Sequence, residues 1–195
     1  MMSNFIHLQT KSHYSISCGL PKTNEIVDKA LESGMKAVAL ADKNTFFGLV
    51  KFYNYALSKG IKPICGVDFD IKIDNGYTNL ILLAKNKKGY DNLSKLSSLG
   101  YTEGFYYVPR VDKELLLKYK SDLIVLSGNL YGEISSKILK VGKAEAEQSL
   151  KWWRKNFKDD FYLEINRHNQ QDENAVNEVL LSFSVQYNIK LIATN

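Results

Sequence analysis

Short apolar runs alternate with helical periodicity along almost the whole chain, and this rhythm is the feature that most restricts the fold. Phe5 to Leu8 reads as a strand, as do Lys36 to Leu40, the long stretch Ile61 to Ile73, Asn79 to Ala84, Leu123 to Leu126, Phe161 to Ile165 and Ile189 to Ala193. Between them lie helical patterns. Thr23 or Asn24 can cap a helix whose Ile26, Val27, Ala30 and Leu31 share one face, and Gly34 ends it. Further helices are expected over Phe47 to Ser58, over Gly89 to Leu99, after the cap Asp112, and over Asp172 to Gln186. Ala146, Leu150, Trp153 and Phe157 mark one face of another helix. Asp74-Asn75-Gly76 is a tight-turn signal. Alternating β and α units imply a mainly parallel sheet, either open or closed into a barrel. In both, chemistry belongs at the C-terminal ends of the strands, here the loops after Leu8, Leu40, Val67, Leu126 and Ala193. Without a Pro/Gly/Ser-rich linker or short-period repeat, residues 1–195 read as one domain.

The composition, 45% hydrophobic and 24% charged over 195 residues, is that of an ordinary globular chain. Apolar runs such as Leu80 to Ala84 are far too short to cross a bilayer, and Met1-Met2-Ser3-Asn4 lacks the basic start of a secretory signal. A cytoplasmic protein with no membrane partner is expected. The formal charge of +5 fits a polyanion partner, but the lysines are dispersed, which favours a solvated surface. Cys18 and Cys65 form no spaced ligand set and read as free thiols, Cys65 within the core.

The strand-end loops carry a resemblance. Phe5-Ile-His-Leu-Gln-Thr-Lys-Ser-His-Tyr-Ser15, Ala39-Leu-Ala-Asp-Lys-Asn-Thr-Phe-Phe-Gly48, Gly60-Ile-Lys-Pro-Ile-Cys-Gly66 and Leu82-Leu-Ala-Lys-Asn-Lys-Lys-Gly-Tyr-Asp-Asn-Leu93 occur in that order. Gly104-Phe-Tyr-Tyr-Val-Pro-Arg110, Leu126-Ser-Gly-Asn-Leu-Tyr-Gly-Glu133 and Phe161-Tyr-Leu-Glu-Ile-Asn-Arg-His168 follow. Together they resemble the PHP (polymerase and histidinol phosphatase) domain at the N-terminus of bacterial DNA polymerase III alpha subunits. The resemblance implies an α/β fold, a distorted seven-stranded β/α barrel of TIM-like type. It also implies, in intact members, a metal cluster that activates water and clamps phosphate oxygens.

Nearly every ligand position implied by the resemblance departs from the pattern. The first His-x-His is Gln9 and Lys11, an expected aspartate is Cys18, and the second histidine is Lys43 after a retained Asp42. A glutamate becomes Asp68, a histidine Asn79 and a cysteine Asn129; a final Asp-x-His would lie beyond Asn195. An ammonium group repels a dication, so Lys11 and Lys43 are expected to oppose metal binding and to pair with Asp42 and Asp68 in place of lost cations, the alternative being that both point to solvent. No catalytic or metal-binding residue is expected, the residual candidates being His7, Asp42 and Asp68. His13 is expected to be exposed, and His7 and His168 to be structural. Phe105-Tyr106-Tyr107 beside Arg110 reads as a rim loop, with nucleic-acid stacking as the alternative.

The resemblance implies a parent chain that is a DNA-directed DNA polymerase (a nucleotidyltransferase of DNA replication), with Mg held in a downstream polymerase domain. This part is expected to be a metal-free scaffold without a cofactor. Its implied partners are the rest of the alpha chain, the proofreading exonuclease subunit that docks on this domain in some members, and DNA through the holoenzyme. An active metal-dependent phosphoesterase, a 3'-5' exonuclease or pyrophosphatase, is the alternative. The domain is expected to continue past Asn195.

Overall fold

The computed structural model describes residues 5–73 and 76–194. In chain order the elements are α1 (Thr23–Glu32), β1 (Ala37–Lys43), α2 (Leu49–Ser58), β2 (Lys62–Ile73), β3 (Gly76–Ala84), α3 (Lys87–Thr102) and α4 (Lys113–Lys118). They continue with β4 (Leu123–Leu126), α5 (Glu133–Lys140), α6 (Lys143–Phe157), β5 (Phe161–Ile165), α7 (Glu173–Tyr187) and β6 (Leu191–Ala193). The strands form one curled mixed sheet, a half-barrel, in the order β1-β2-β3-β4-β5-β6. β3 runs antiparallel to β2 and β4, and every other neighbouring pair is parallel.

Local chemistry sets the element ends. Glu25 accepts from the Lys22 backbone at 2.7 Å to start α1, and Gly34 leaves it at φ 72°. The Asn86 and Asp112 side chains accept from Gly89 and Leu115 at 3.1 and 2.7 Å and open α3 and α4. The hairpin expected around Asp74-Asn75-Gly76 joins β2 to β3, with Ile73 opposite Gly76; Asp74 and Asn75 themselves lie outside the described residues.

Strand alternation divides the side chains between two faces. On the convex face, Phe69, Leu82, Val125, Leu163, Trp153 and Phe183 belong to one large core under the later helices. Val38, Leu40, Val27, Phe52 and Ala56 pack in a second core under α1 and α2. The concave face holds Ala39, Ala41, Ile81, Leu83 and Leu126. Space there is tight: a Cβ at Gly66 would come within 2.5 Å of the Leu83 side chain.

Six strands are present among the described residues, not the expected seven. The expected Phe5–Leu8 strand is replaced by a segment that follows β1 without a continuous ladder. His7 and Thr10 carbonyls accept from Ala39 and Ala41 at 2.9 Å, and Thr10 and Leu40 form a single bridge. The Thr10 hydroxyl also bonds the Ala39 carbonyl. α5 is a further difference: it is only eight residues long, and Ile134 is its one fully buried apolar side chain. Among the described residues no helix is long and apolar enough to cross a membrane.

Candidate functional site at the mouth of the sheet

β1 ends and β2 passes its midpoint at the same level, since their register places Lys43 opposite Asp68. Asp68 and Asp70 are two residues apart on one strand, so both carboxylates point to the concave face. Lys43 Nζ lies 3.2 Å from Asp68 Oδ1 and 2.5 Å from Asp70 Oδ1, bridging the pair. Lys11, from the segment beside β1, reaches Asp68 Oδ2 at 2.9 Å. Two ammonium groups thus face two buried carboxylates. Burial alone would lower the pKa of Lys43, but the charges of Asp68 and Asp70 outweigh it and hold the ammonium above its ordinary value.

Asn44 locks the far side of this cluster. At φ 53°, its side-chain Nδ2 donates to Asp70 Oδ2 at 2.8 Å while its side-chain Oδ1 accepts from Asp70 N at 2.9 Å. Asp42 is not part of the group. It follows Ala41 on the strand and therefore points to the other face, where it accepts from Ser12 N at 2.6 Å, Ser12 Oγ at 2.7 Å and Ser15 Oγ at 2.6 Å. The expected pairing of the lysines with Asp42 and Asp68 is corrected accordingly: their partners are Asp68 and Asp70.

A second buried group adjoins the first. Gln9 Nε2 donates to Glu164 Oε1 at 2.9 Å and contacts Thr194 Oγ1 at 2.8 Å, while Thr194 Oγ1 donates to Glu164 at 2.8 Å. Asn166 Nδ2 donates to Thr194 Oγ1 at 2.8 Å. Glu164 Oε2 is buried and has no hydrogen-bond partner among the described residues. Burial pushes the Glu164 carboxyl above the usual range and nearby Asp68 adds to this, against the opposing hydrogen bonds of Thr194 and Asn166 and the charge of Lys11.

The other positions singled out in the sequence disperse. Asn79 sits opposite Asp70 on β3 and lines a cleft of about 820 Å3, shared with Lys43, His13, Tyr77 and Tyr131. Asn129 turns back on its own loop and accepts from Tyr131 N at 2.9 Å. Cys18 is exposed, Cys65 half-buried, and both are free. His7 meets Phe5 edge-on at 5.0 Å between ring centroids and lines a different cleft, beside Met35 and Val38. His168 bonds Glu173 Oε1 at 3.0 Å and holds the start of α7. The residual set His7, Asp42 and Asp68 is not brought together. Among the described residues no three His, Cys, Asp or Glu side chains are placed to share a cation.

A family model for the PHP domain matches residues 7–168. The chain belongs to the PHP domain family. Similar curated proteins are DNA polymerase III alpha subunits. That of Borreliella burgdorferi is 41% identical over 99% of this chain, that of Aquifex aeolicus 40% over 100%, and that of Vibrio cholerae 39% over 98%. This PHP domain spans only 18, 18 and 17% of their lengths. Its fold is also that of an amidohydrolase from Chromobacterium violaceum, at TM-score 0.66 and 11% identity over 97% of this chain and 86% of that one. A protein described as a metal-dependent phosphoesterase, from Bifidobacterium adolescentis, superposes at TM-score 0.60 and 12% identity, over 97% and 85% of the two chains.

The residues at the mouth of this PHP domain do not fit the metal cluster that the family implies. Metal ligation asks for neutral imidazole, thiolate or free carboxylate donors. Asp68 and Asp70 instead spend their charge on Lys43 and Lys11, and Gln9 spends its side chain on Glu164 and Thr194. The sequence by itself does not single out Asp70, Glu164, Asn166 or Thr194. For Asp70 the signal was there, because alternation on β2 places it on the same face as Asp68.

Proposed function

We propose that this chain is a non-catalytic PHP domain that serves as a structural scaffold in a DNA polymerase III alpha subunit, a cytoplasmic replication enzyme. The observation that carries this reading is the Lys43 ammonium seated between Asp68 and Asp70. Positive charge supplied by a side chain can neither activate water nor accept a phosphate oxygen into a metal coordination sphere. It does hold the strands of the mouth together. In this reading DNA synthesis and its Mg ions belong to parts of the polymerase chain outside the PHP domain. The domain contacts the rest of that chain and offers a docking surface to the proofreading exonuclease, and DNA reaches it only through the assembled enzyme.

Metal analysis of the purified protein, after incubation with zinc or manganese, tests the reading. The expected result is no stoichiometric metal and no chelator-sensitive hydrolysis of a phosphodiester or of pyrophosphate. Stoichiometric ions together with hydrolysis abolished by chelation would instead establish an active phosphoesterase.

A further inference from the structure

A second cavity, of about 760 Å3, opens at the other end of the strands, where β2 and β4 begin and β3 ends. Its floor is the lower part of the concave face, including Ile64, Ile124, Tyr162 and Ile192. One wall is α2, through Val50 and Tyr53. These two share a helix face with Leu57, at spacings of three and seven, and the three are 60, 42 and 53% exposed. They are not the stripe by which α2 joins the core, which is Leu49, Phe52 and Ala56. α2 is therefore apolar on two sides, and one of them is uncovered.

The rim has a single sign of charge. Lys62, Lys85 and Lys87 line the cavity, and among the described residues no carboxylate does. Lys85 pairs with Asp160 and Lys87 with Asp91, but neither acid faces the groove. An apolar floor, an exposed apolar helix stripe and a cationic rim together specify the occupant.

We propose that this groove docks an acidic amphipathic helix of a partner protein. Its apolar face covers Val50, Tyr53 and Leu57 and enters the cavity, and its carboxylates face the three lysines. A helix is favoured because the stripe runs about 10 Å along α2, seven residues at 1.5 Å each, and so extends past the cavity to Leu57. A small amphiphile filling the cavity would leave Leu57 bare. A second copy of this chain is disfavoured because a two-fold interface would set one lysine rim against the other. This surface stands apart from the lysine–carboxylate mouth, so the inference does not depend on whether the mouth binds metal.

The probe is a fluorescein-labelled helical peptide of about five turns, with leucines along one face and glutamates on the other. Fluorescence anisotropy with this chain is expected to show saturable binding, weakened about tenfold or more by Val50→Glu with Leu57→Glu. The same peptide with lysines for glutamates is expected to bind at least tenfold more weakly. Cys65 supplies a second readout: it lines the cavity, half-buried, and burial pushes its thiol up to about 11. In a Cys18→Ser background the acidic peptide is expected to slow modification of Cys65. Both substituted helix positions are exposed, and circular dichroism is to check that the variants fold. Failure to bind, equal affinity for both peptides, or unchanged affinity of the double variant would each overturn the proposal. So would loss of anionic-vesicle binding in the double variant with peptide binding intact.

Discussion

Gln9 and Glu164 are 155 positions apart in the chain, and the side-chain amide of one donates to the carboxyl of the other at 2.9 Å. This bond, with its extension to Thr194, ties the segment beside β1 to β5 and to the residue following β6 across the concave side of the curled sheet. Side chains thus bridge the two flanks of the half-barrel. Gln9→Ala removes one donor from Glu164 Oε1 in a buried setting. It is expected to lower stability by about 1–3 kcal/mol, read as a shift in the urea midpoint at unchanged slope.

Glu164 links this tie to pH. Its carboxyl is held above the ordinary value by burial, so the folded chain keeps that proton more tightly than the unfolded one. The contribution is complete below the unfolded carboxyl range and is lost as pH rises through the folded value. Glu164→Gln is expected to match the parent chain in acid and to become relatively more stable as pH rises. Thermal melts of both proteins from acid to neutral pH check this, and curves that stay parallel would refute it.

Lys43 carries the opposite charge with the same sign of linkage. Its folded value is raised, so its stabilisation is present below the ordinary lysine range and is lost as pH climbs through the folded value. Lys43→Met leaves Asp70 with Asn44 alone and Asp68 with Lys11 alone. A loss of roughly 3 kcal/mol is expected at neutral pH, the low end for stranding a buried charge, because the Lys43 side chain is 23% exposed. Denaturant unfolding at neutral and strongly alkaline pH should show the deficit shrinking in alkali.

Glu133 provides a contrasting case away from the mouth. It receives Lys113 at 2.8 Å, Lys137 at 3.2 Å, Ser149 at 2.7 Å and Trp153 Nε1 at 3.0 Å, joining α4, α5 and α6. Burial pushes its carboxyl up, yet Lys113, Ser149 and Lys137 outweigh that and hold it below the usual range. Its stabilisation is present above the unfolded carboxyl range and is lost as pH falls through the folded value. Glu133→Gln is therefore expected to be less stable than the parent chain at neutral pH and to converge with it in acid, the reverse of Glu164→Gln.

Asp42 controls a loop. It accepts from two donors on Ser12 and one on Ser15, and the residues beyond, including Ile16 and Leu20, are exposed. Asp42→Ala is expected to speed proteolytic cleavage between residues 13 and 22 several-fold, with helical content unchanged. Equal cleavage rates would show that backbone hydrogen bonds such as His13 N to Pro21 O and Gly19 N to Ser15 O hold the loop without Asp42.

The helix of Ala146, Leu150, Trp153 and Phe157 was legible because it buries one face, and all four side chains are buried in the large core. The absence of a regular strand at Phe5 to Leu8 was not legible, since it depends on how this segment pairs with β1, which lies beyond α1 in the chain. At the mouth, the replaced donors Gln9, Lys11 and Lys43 were visible as residue types. Their partners were half visible: Asp68 was named, and alternation alone would have removed Asp42 and added Asp70.

What the sequence determined by itself were the βα rhythm, the family spacing, and the presence of ammonium and amide groups where metal donors are expected. These are properties of neighbours along the chain, written in periods of two and 3.6 residues. Only the tertiary structure decided that Lys43 bridges Asp68 and Asp70, that Gln9 meets Glu164, and that α2 keeps an uncovered apolar side. Those facts depend on strand register and on the curl of the sheet, which set distances between residues that no local period relates.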